Sequence, residues 1–154
     1  MSRNAPAVQE AEYVTAIIGG QLFGLAIERV LDVFKPERLT RVPLASAEVA
    51  GVLNLRGRIV TAIDMRQRLE LPARGANDPF MAIGIEQNGE SYGLLVDQVG
   101  EVVKLPVSKL DPVPANLDSG WANLAEGVHR LDNRLMVVLD VDRSLEHQHD
   151  LVTA

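Results

Sequence analysis

Cysteine is absent from all 154 residues, which excludes disulfides, thiolate metal sites and cysteine nucleophiles. Aromatic side chains make up only 4%, too few for a run of base-stacking platforms. Positive charge is scarce too: 15 Lys and Arg stand against 21 Asp and Glu, a net charge of -6. That sign is wrong for a surface that neutralises many phosphates, so no nucleic-acid partner is expected. No apolar run approaches the roughly 20 residues of a membrane helix, and no bilayer insertion is expected. Met1 to Gln9 holds one arginine and no apolar core of the kind a secretion signal carries, so the expected location is cytoplasmic. What is present is 47% hydrophobic and 23% charged residues, the balance of an ordinary globular unit. Residues 1–11 and 146–154 are polar and aperiodic and read as tails, leaving 12–145 as the folded body.

The body repeats itself. Phe23 to Phe34 reads FGLAIERVLDVF, and Tyr92 to Val103 reads YGLLVDQVGEVV, with aromatic, Gly, Leu, acid, Val and acid in the same order. Gly51 to Leu69 reads GVLNLRGRIVTAIDMRQRL, and Gly127 to Leu145 reads GVHRLDNRLMVVLDVDRSL, aligned without a gap. Val42-Pro43 answers Val113-Pro114 between these blocks. The stretch Leu71 to Pro79, LPARGANDP, separates the copies with two prolines and a glycine. The chain is two copies of one module.

Each copy reads as strand. Gly19-Gly20 and Asn88-Gly89 supply the positive φ of tight hairpin turns between Tyr13–Ile18 and Leu22–Ile27, and between Phe80–Ile85 and Tyr92–Val96. Leu31 and Val33, then Val99, Glu101 and Val103, alternate, while Ile59–Ile63 and Leu135–Leu139 have strand length and composition. Asp64 and Asp140 stand where a strand gives way to a short helix and read as N-caps. The expected class is mainly all-β with short helices, in two barrel-like halves packed face to face. The first half is 12–72 plus C-terminal elements, and the second is 78–145.

No catalytic constellation is visible, so the chain is not expected to be an enzyme or to need a cofactor. His147 and His149, with Glu146 and Asp150, read as a solvated tail and not as a metal site. His129 lacks a Ser or Asp arrangement and reads as structural. No GxGxxG or GxxxxGK[ST] string forms a phosphate cradle.

The copies differ at one turn. Asn54-Leu55-Arg56-Gly57-Arg58 in the first corresponds to Arg130-Leu131-Asp132-Asn133-Arg134 in the second. Leu55 and Leu131 are expected to face their cores, with Arg58 and Arg134 lying along the surface. Arg56, replaced by Asp132, is not needed to build the module. It is either an ordinary exposed hairpin arginine or a guanidinium fork presented on a glycine turn for carboxylate recognition.

The string GVLNLRGRIV from Gly51, followed by Ile63-Asp64-Met65-Arg66, resembles the GVxNLRGxIxPxxDLR pattern of the CheW family, coupling proteins of bacterial chemotaxis. The resemblance runs from about Tyr13 to Leu145 and includes the two FGL- and YGL-type segments. Thr61-Ala62 departs from it where the family usually places proline. The resemblance implies two SH3-like five-stranded subdomains and a non-enzymatic adaptor. Its implied partners are the histidine kinase CheA, through that kinase's CheW-like regulatory domain, and the cytoplasmic tips of chemoreceptors at membrane-associated arrays. It also implies a receptor-facing surface of Val30, Asp32, Gly51, Asn54, Leu55, Arg56 and Gly57, with Asp32 and Arg56 able to pair. Leu31 and Phe34 are candidate exposed apolar residues for the kinase. Alternatives are a CheW-like module of a related signalling protein such as CheV, and a small-barrel nucleic-acid binder, whose mark would be a basic stripe.

Overall fold

A computed structural model describes residues 9–36, 39–40, 49–55, 57–75, 77–115 and 119–145. Its first strands are β1 (Glu10–Ile18), β2 (Gln21–Ala26), β3 (Val30–Phe34), β4 (Leu39–Thr40), β5 (Val49–Leu55) and β6 (Arg58–Asp64). A short helix α1 (Met65–Arg68) follows. The later elements are β7 (Met81–Gln87), β8 (Glu90–Val96), β9 (Gln98–Pro106), α2 (Ser119–Ala122), β10 (Ala125–Leu131) and β11 (Arg134–Leu139). The mainly-β expectation is met. Both expected hairpin turns form, with φ of +60° and +82° at Gly19 and Gly20 and +53° and +82° at Asn88 and Gly89.

The strands fall into two sheets, ordered β10-β11-β2-β1-β9 (sheet A) and β3-β7-β8-β6-β5-β4 (sheet B). The sheets cut across the sequence repeat. The β1–β2 hairpin of the first copy sits between β11 and β9 of the second, and the β7–β8 hairpin of the second sits between β3 and β6 of the first. Segment 12–72 therefore contributes to both sheets, and so does 78–145. The cause is local: the 3-10 turn Ile27–Arg29 after β2, and Asp97 after β8, send the chain into the opposite sheet before the third strand of each copy begins. The junctions β2–β11 and β6–β8 are parallel, whereas the other strand pairs are antiparallel.

Burial follows the period of two. On β8, Tyr92, Leu94 and Val96 enter a central cluster with Phe23 and Leu25 of β2, Ile83 and Ile85 of β7, and Val137 and Leu139 of β11. Leu95, between them, belongs to a second cluster with Leu53, Val60, Ala62 and Ala82. Met136 and Val138 alternate in the same way into a third, with Tyr13 and Leu22. The inner strands are apolar on both faces, which is why they read as near-continuous hydrophobic runs. Each fully buried Leu, Ile or Phe contributes about 1.5–3 kcal/mol.

Polar ties join the copies where the sheets meet. The Asp97 carboxylate at the end of β8 accepts from Arg66 Nε (3.0 Å) and Nη2 (2.6 Å) and from the amide of Gly19 in the β1–β2 turn (2.9 Å). Arg68 donates to the carbonyls of Ser144 and Arg143, both at 2.9 Å. Trp121, tilted against Phe23 at 5.4 Å between centroids, donates from Nε1 to the Leu69 carbonyl at 2.9 Å. Asp64 caps α1 as expected, accepting from the amides of Arg66 and Gln67. Asp140 likewise accepts from the Arg143 amide at 3.0 Å.

Burial alone would push the Asp97 carboxyl up, but the Arg66 hydrogen bonds, the Gly19 amide and the Arg66 and Arg74 charges outweigh it and hold it below 3.8. Its stabilisation is therefore complete above about pH 4 and is lost as pH falls through and below that ordinary value. Asp97→Asn is expected to cost about 2–3 kcal/mol at pH 7. The difference between variant and parent should shrink in melts taken from pH 5 to pH 2.5; a constant difference would contradict this assignment.

Candidate functional site

On β3, Val30 pairs with Ile85 and Asp32 with Gly84, so Leu31 is an extra bulged residue. It is 56% exposed. Asp32 opens a cross-strand row that continues through Gly84, Gly93, Ala62 and Gly51. The lack of side chain at Gly84 gives the Asp32 carboxylate its place, since a Cβ there would collide with Asp32 Oδ1. At the other side stands the β5–β6 turn. Asn54 Oδ1 accepts from the Gly57 amide at 3.0 Å, and Gly57 has φ +84°, which favours glycine. Arg58 leans back and donates from Nη2 to Ser91 Oγ.

Leu31, Asp32, Leu55 and Arg58 enclose a hollow of about 50 Å³ whose floor includes Val60, Gly84 and Tyr92. The Tyr92 hydroxyl donates to Glu90 Oε2 at 2.7 Å. Burial, then that carboxylate, pushes its pKa up to about 12, so it remains a neutral donor. Asp32 has no salt-bridge partner among the described residues. The hollow is thus an apolar floor with a carboxylate on one rim and a guanidinium on the other.

The repeat supplies an internal control. In sheet A, Thr15, Leu22 and Met136 occupy the places of Gly84, Ser91 and Val60. Met136 and Leu22 are buried in the third cluster, and Thr15 Oγ1 donates to the Glu101 carbonyl at 2.6 Å. Three larger, buried side chains stand on sheet A where sheet B has three smaller ones. The arginine difference at the turn therefore extends into the strands beneath it.

Placement of the expected residues is mixed. Asp32, Leu55 and Leu31 line the hollow, and Asn54 and Gly57 are exposed at the turn beside it. Arg56 lies outside the described residues, as do Glu146, His147, His149 and Asp150. Val30 is half-buried against the central cluster. Gly51 is buried, and its φ of +152° gives it a backbone reason to be glycine. Phe34 needs correction as an exposed apolar residue: after the bulge, alternation turns it into the second cluster with Leu53 and Leu95. Arg58 is exposed at the surface as expected and lines the hollow, while Leu55, expected to face its core, lines the hollow as well. Val60, Gly84, Ser91, Tyr92 and the 65% exposed Ile59 beside the turn were not singled out. Extending the comparison of copies from the turn into β6, β7 and β8 was the signal that could have found the first three.

His129 takes the position of Leu53 in the sister copy. It is 2% exposed, meets Tyr13 edge-on at 5.6 Å, and its Nε2 lacks a hydrogen-bond partner among the described residues. Among those residues no group of three or more His, Asp or Glu could hold a metal ion. No helix among them is long and apolar enough to cross a membrane.

The CheW-like domain family matches residues 12–149. The chain belongs to the CheW family. It is 30% identical over 135 residues to "Chemotaxis protein CheW" of Helicobacter pylori, covering 88% of this chain and 81% of that one. It is 27% identical over 146 residues to the CheW of Thermotoga maritima, covering 95% of each. Among solved structures, the scaffolding protein TtCheW from Thermoanaerobacter tengcongensis aligns with a TM-score of 0.75 at 28% identity, over 86% of this chain and 90% of that one.

Two outcomes follow for the residues that proved structural. Gly51→Ala is expected to lower stability by about 1–3 kcal/mol, read by denaturant titration, because alanine cannot hold that φ without strain. Burial lowers the His129 pKa, only partly offset by Asp111, so the folded state resists protonation. The fold accommodates the neutral form, so no stability is lost above pH 6.5, and stability falls as pH drops below that value toward the folded pKa. His129→Leu should flatten that part of the stability profile between pH 7 and 5, and an unchanged slope would contradict it.

Proposed function

We propose that this protein is a non-enzymatic adaptor that couples the cytoplasmic tips of chemoreceptors to the histidine kinase CheA. It acts in the cytoplasm and is recruited to membrane-associated arrays. Family membership supports the chemotaxis role. The observation that carries the site is the open hollow on sheet B beside the Asn54–Arg58 turn, set against the larger, buried side chains at three equivalent positions on sheet A. A scaffold requirement would act on both copies alike, whereas a docking requirement acts on the copy that meets the partner.

In this reading the receptor-facing patch is built on Asp32, Asn54, Leu55, Arg56 and Gly57, with Val30 and Gly51 supporting it from below. Leu31, on the outer edge of β3, faces the kinase. An exposed ion pair contributes about 0–1 kcal/mol to stability, whereas an arginine buried against a partner contributes 2 kcal/mol or more to binding. Two standard patches of about 800 Å² fit readily on a surface of 9319 Å². An adaptor of this kind breaks no bonds. It shifts which kinase conformations are populated, by as much as its affinities for them differ.

The test is capture of a receptor cytoplasmic fragment and the kinase regulatory domain, offered separately and together. Simultaneous capture is expected, and capture of neither would overturn the reading. Arg56→Glu should leave the melting curve nearly unchanged while weakening receptor capture at least tenfold. A variant that binds normally, or that unfolds, removes Arg56 from the site.

A further inference from the structure

The strand order holds a second consequence, independent of the adaptor reading. Sheet A runs second copy, first copy, second copy, and sheet B runs first, second, first. Neither copy forms a continuous sheet by itself, because its own strands are parted by the hairpin of the other. The joins β1–β9, β2–β11, β3–β7 and β6–β8 all pair one copy with the other. So do the polar ties of Arg66 to Asp97, Arg68 to Ser144, Trp121 to Leu69 and Arg29 to Asp142. The central cluster likewise mixes Phe23 and Ile63 with Leu94 and Val137.

We propose that the two copies exchange between chains, so that a second copy of this protein is its own binding partner. The first copy of each chain completes the second copy of the other. Every join named above is regenerated in the exchanged dimer, and the one segment that must change course is the connection between copies. That connection is anchored at its ends. Leu71 donates its amide to Arg66 O and packs on the central cluster, Arg66 Nη1 binds Pro72 O, and Phe80 packs on the second cluster. Between the anchors, Ala73, Gly75, Asn77, Asp78 and Pro79 are exposed. Arg74 lies over the Phe80 ring at 4.5 Å and 3.9 Å from Asp97. Gly75 and Asp78 close a local turn in which the Gly75 amide donates to Asp78 Oδ2 at 3.0 Å and the Asp78 amide to the Gly75 carbonyl at 3.1 Å, contacts that tie the segment to itself and not to either copy. The seven positions 73–79 span at most about 23 Å when extended, enough to pass from one unit to a neighbour in contact with it. Exchange of identical elements is a low-cost route to dimers because it creates few new contacts.

Closure within one chain wins at low concentration, since a short connection gives the copies a local concentration in the millimolar range. Refolding from denaturant at about 1 mM should therefore yield at least tenfold more dimer, by light scattering, than refolding at about 10 µM. Deleting Gly75–Asp78 should raise the dimer fraction further. A protease site inserted between Ala73 and Asp78 then separates exchange from surface contact. Cleavage of an exchanged dimer halves its mass with the sheets intact by circular dichroism, because each complete unit holds halves of two chains joined through that segment alone. A chain that is monomeric under every condition overturns the proposal, and so does a dimer that keeps its mass after cleavage.

Discussion

The structure depends on burying both faces of its inner strands. One face of each sheet meets the other sheet, and the opposite face covers a cluster of its own. Strands such as β8 and β11 must then be apolar along their buried stretches, Tyr92–Val96 and Met136–Leu139. A Cβ at Gly93 would sit in ordinary van der Waals contact with Leu53, Ala82 and Phe34. Gly127 is tighter, with the Asp111 carbonyl 2.6 Å from where a Cβ would stand. Such a core leaves little freedom inside and confines function to the rim.

That confinement makes the duplication informative. Two copies of one module face the same folding requirements, so a difference at equivalent positions marks something other than folding. By this criterion the Asn54–Arg58 turn, Val60, Gly84 and Ser91 stand together on one side, while Leu53 and His129 differ inside the core. The second difference has a structural cost, an imidazole nitrogen without a partner among the described residues. Leaving such a group without a partner typically costs about 1–3 kcal/mol.

Much of the fold was legible because period-two burial and glycine turns are local signals. The hairpins at Gly19-Gly20 and Asn88-Gly89, the caps at Asp64 and Asp140 and the duplication all follow from nearest-neighbour chemistry. What was not legible is which strand pairs with which across copies. The exchange of hairpins is decided at Ile27–Arg29 and at Asp97, where a few residues redirect the chain and no periodicity announces it. The same non-locality hid half of the hollow, since Gly84 and Ser91 come to Asp32 and Arg58 only through the β3–β7 and β6–β8 joins. Phe34 was misjudged for a smaller reason: one bulged residue, Leu31, reverses the facing of every position after it on the strand.

Trp121 is the one tryptophan in the chain. Its indole nitrogen is tethered to Leu69 of the opposite copy and its ring leans on Phe23. Intrinsic emission from this molecule is therefore a single-site gauge of whether the halves are seated together. Detachment of the halves would release the indole to water and red-shift the emission, while motion confined to the β5–β6 rim would leave the spectrum as it was.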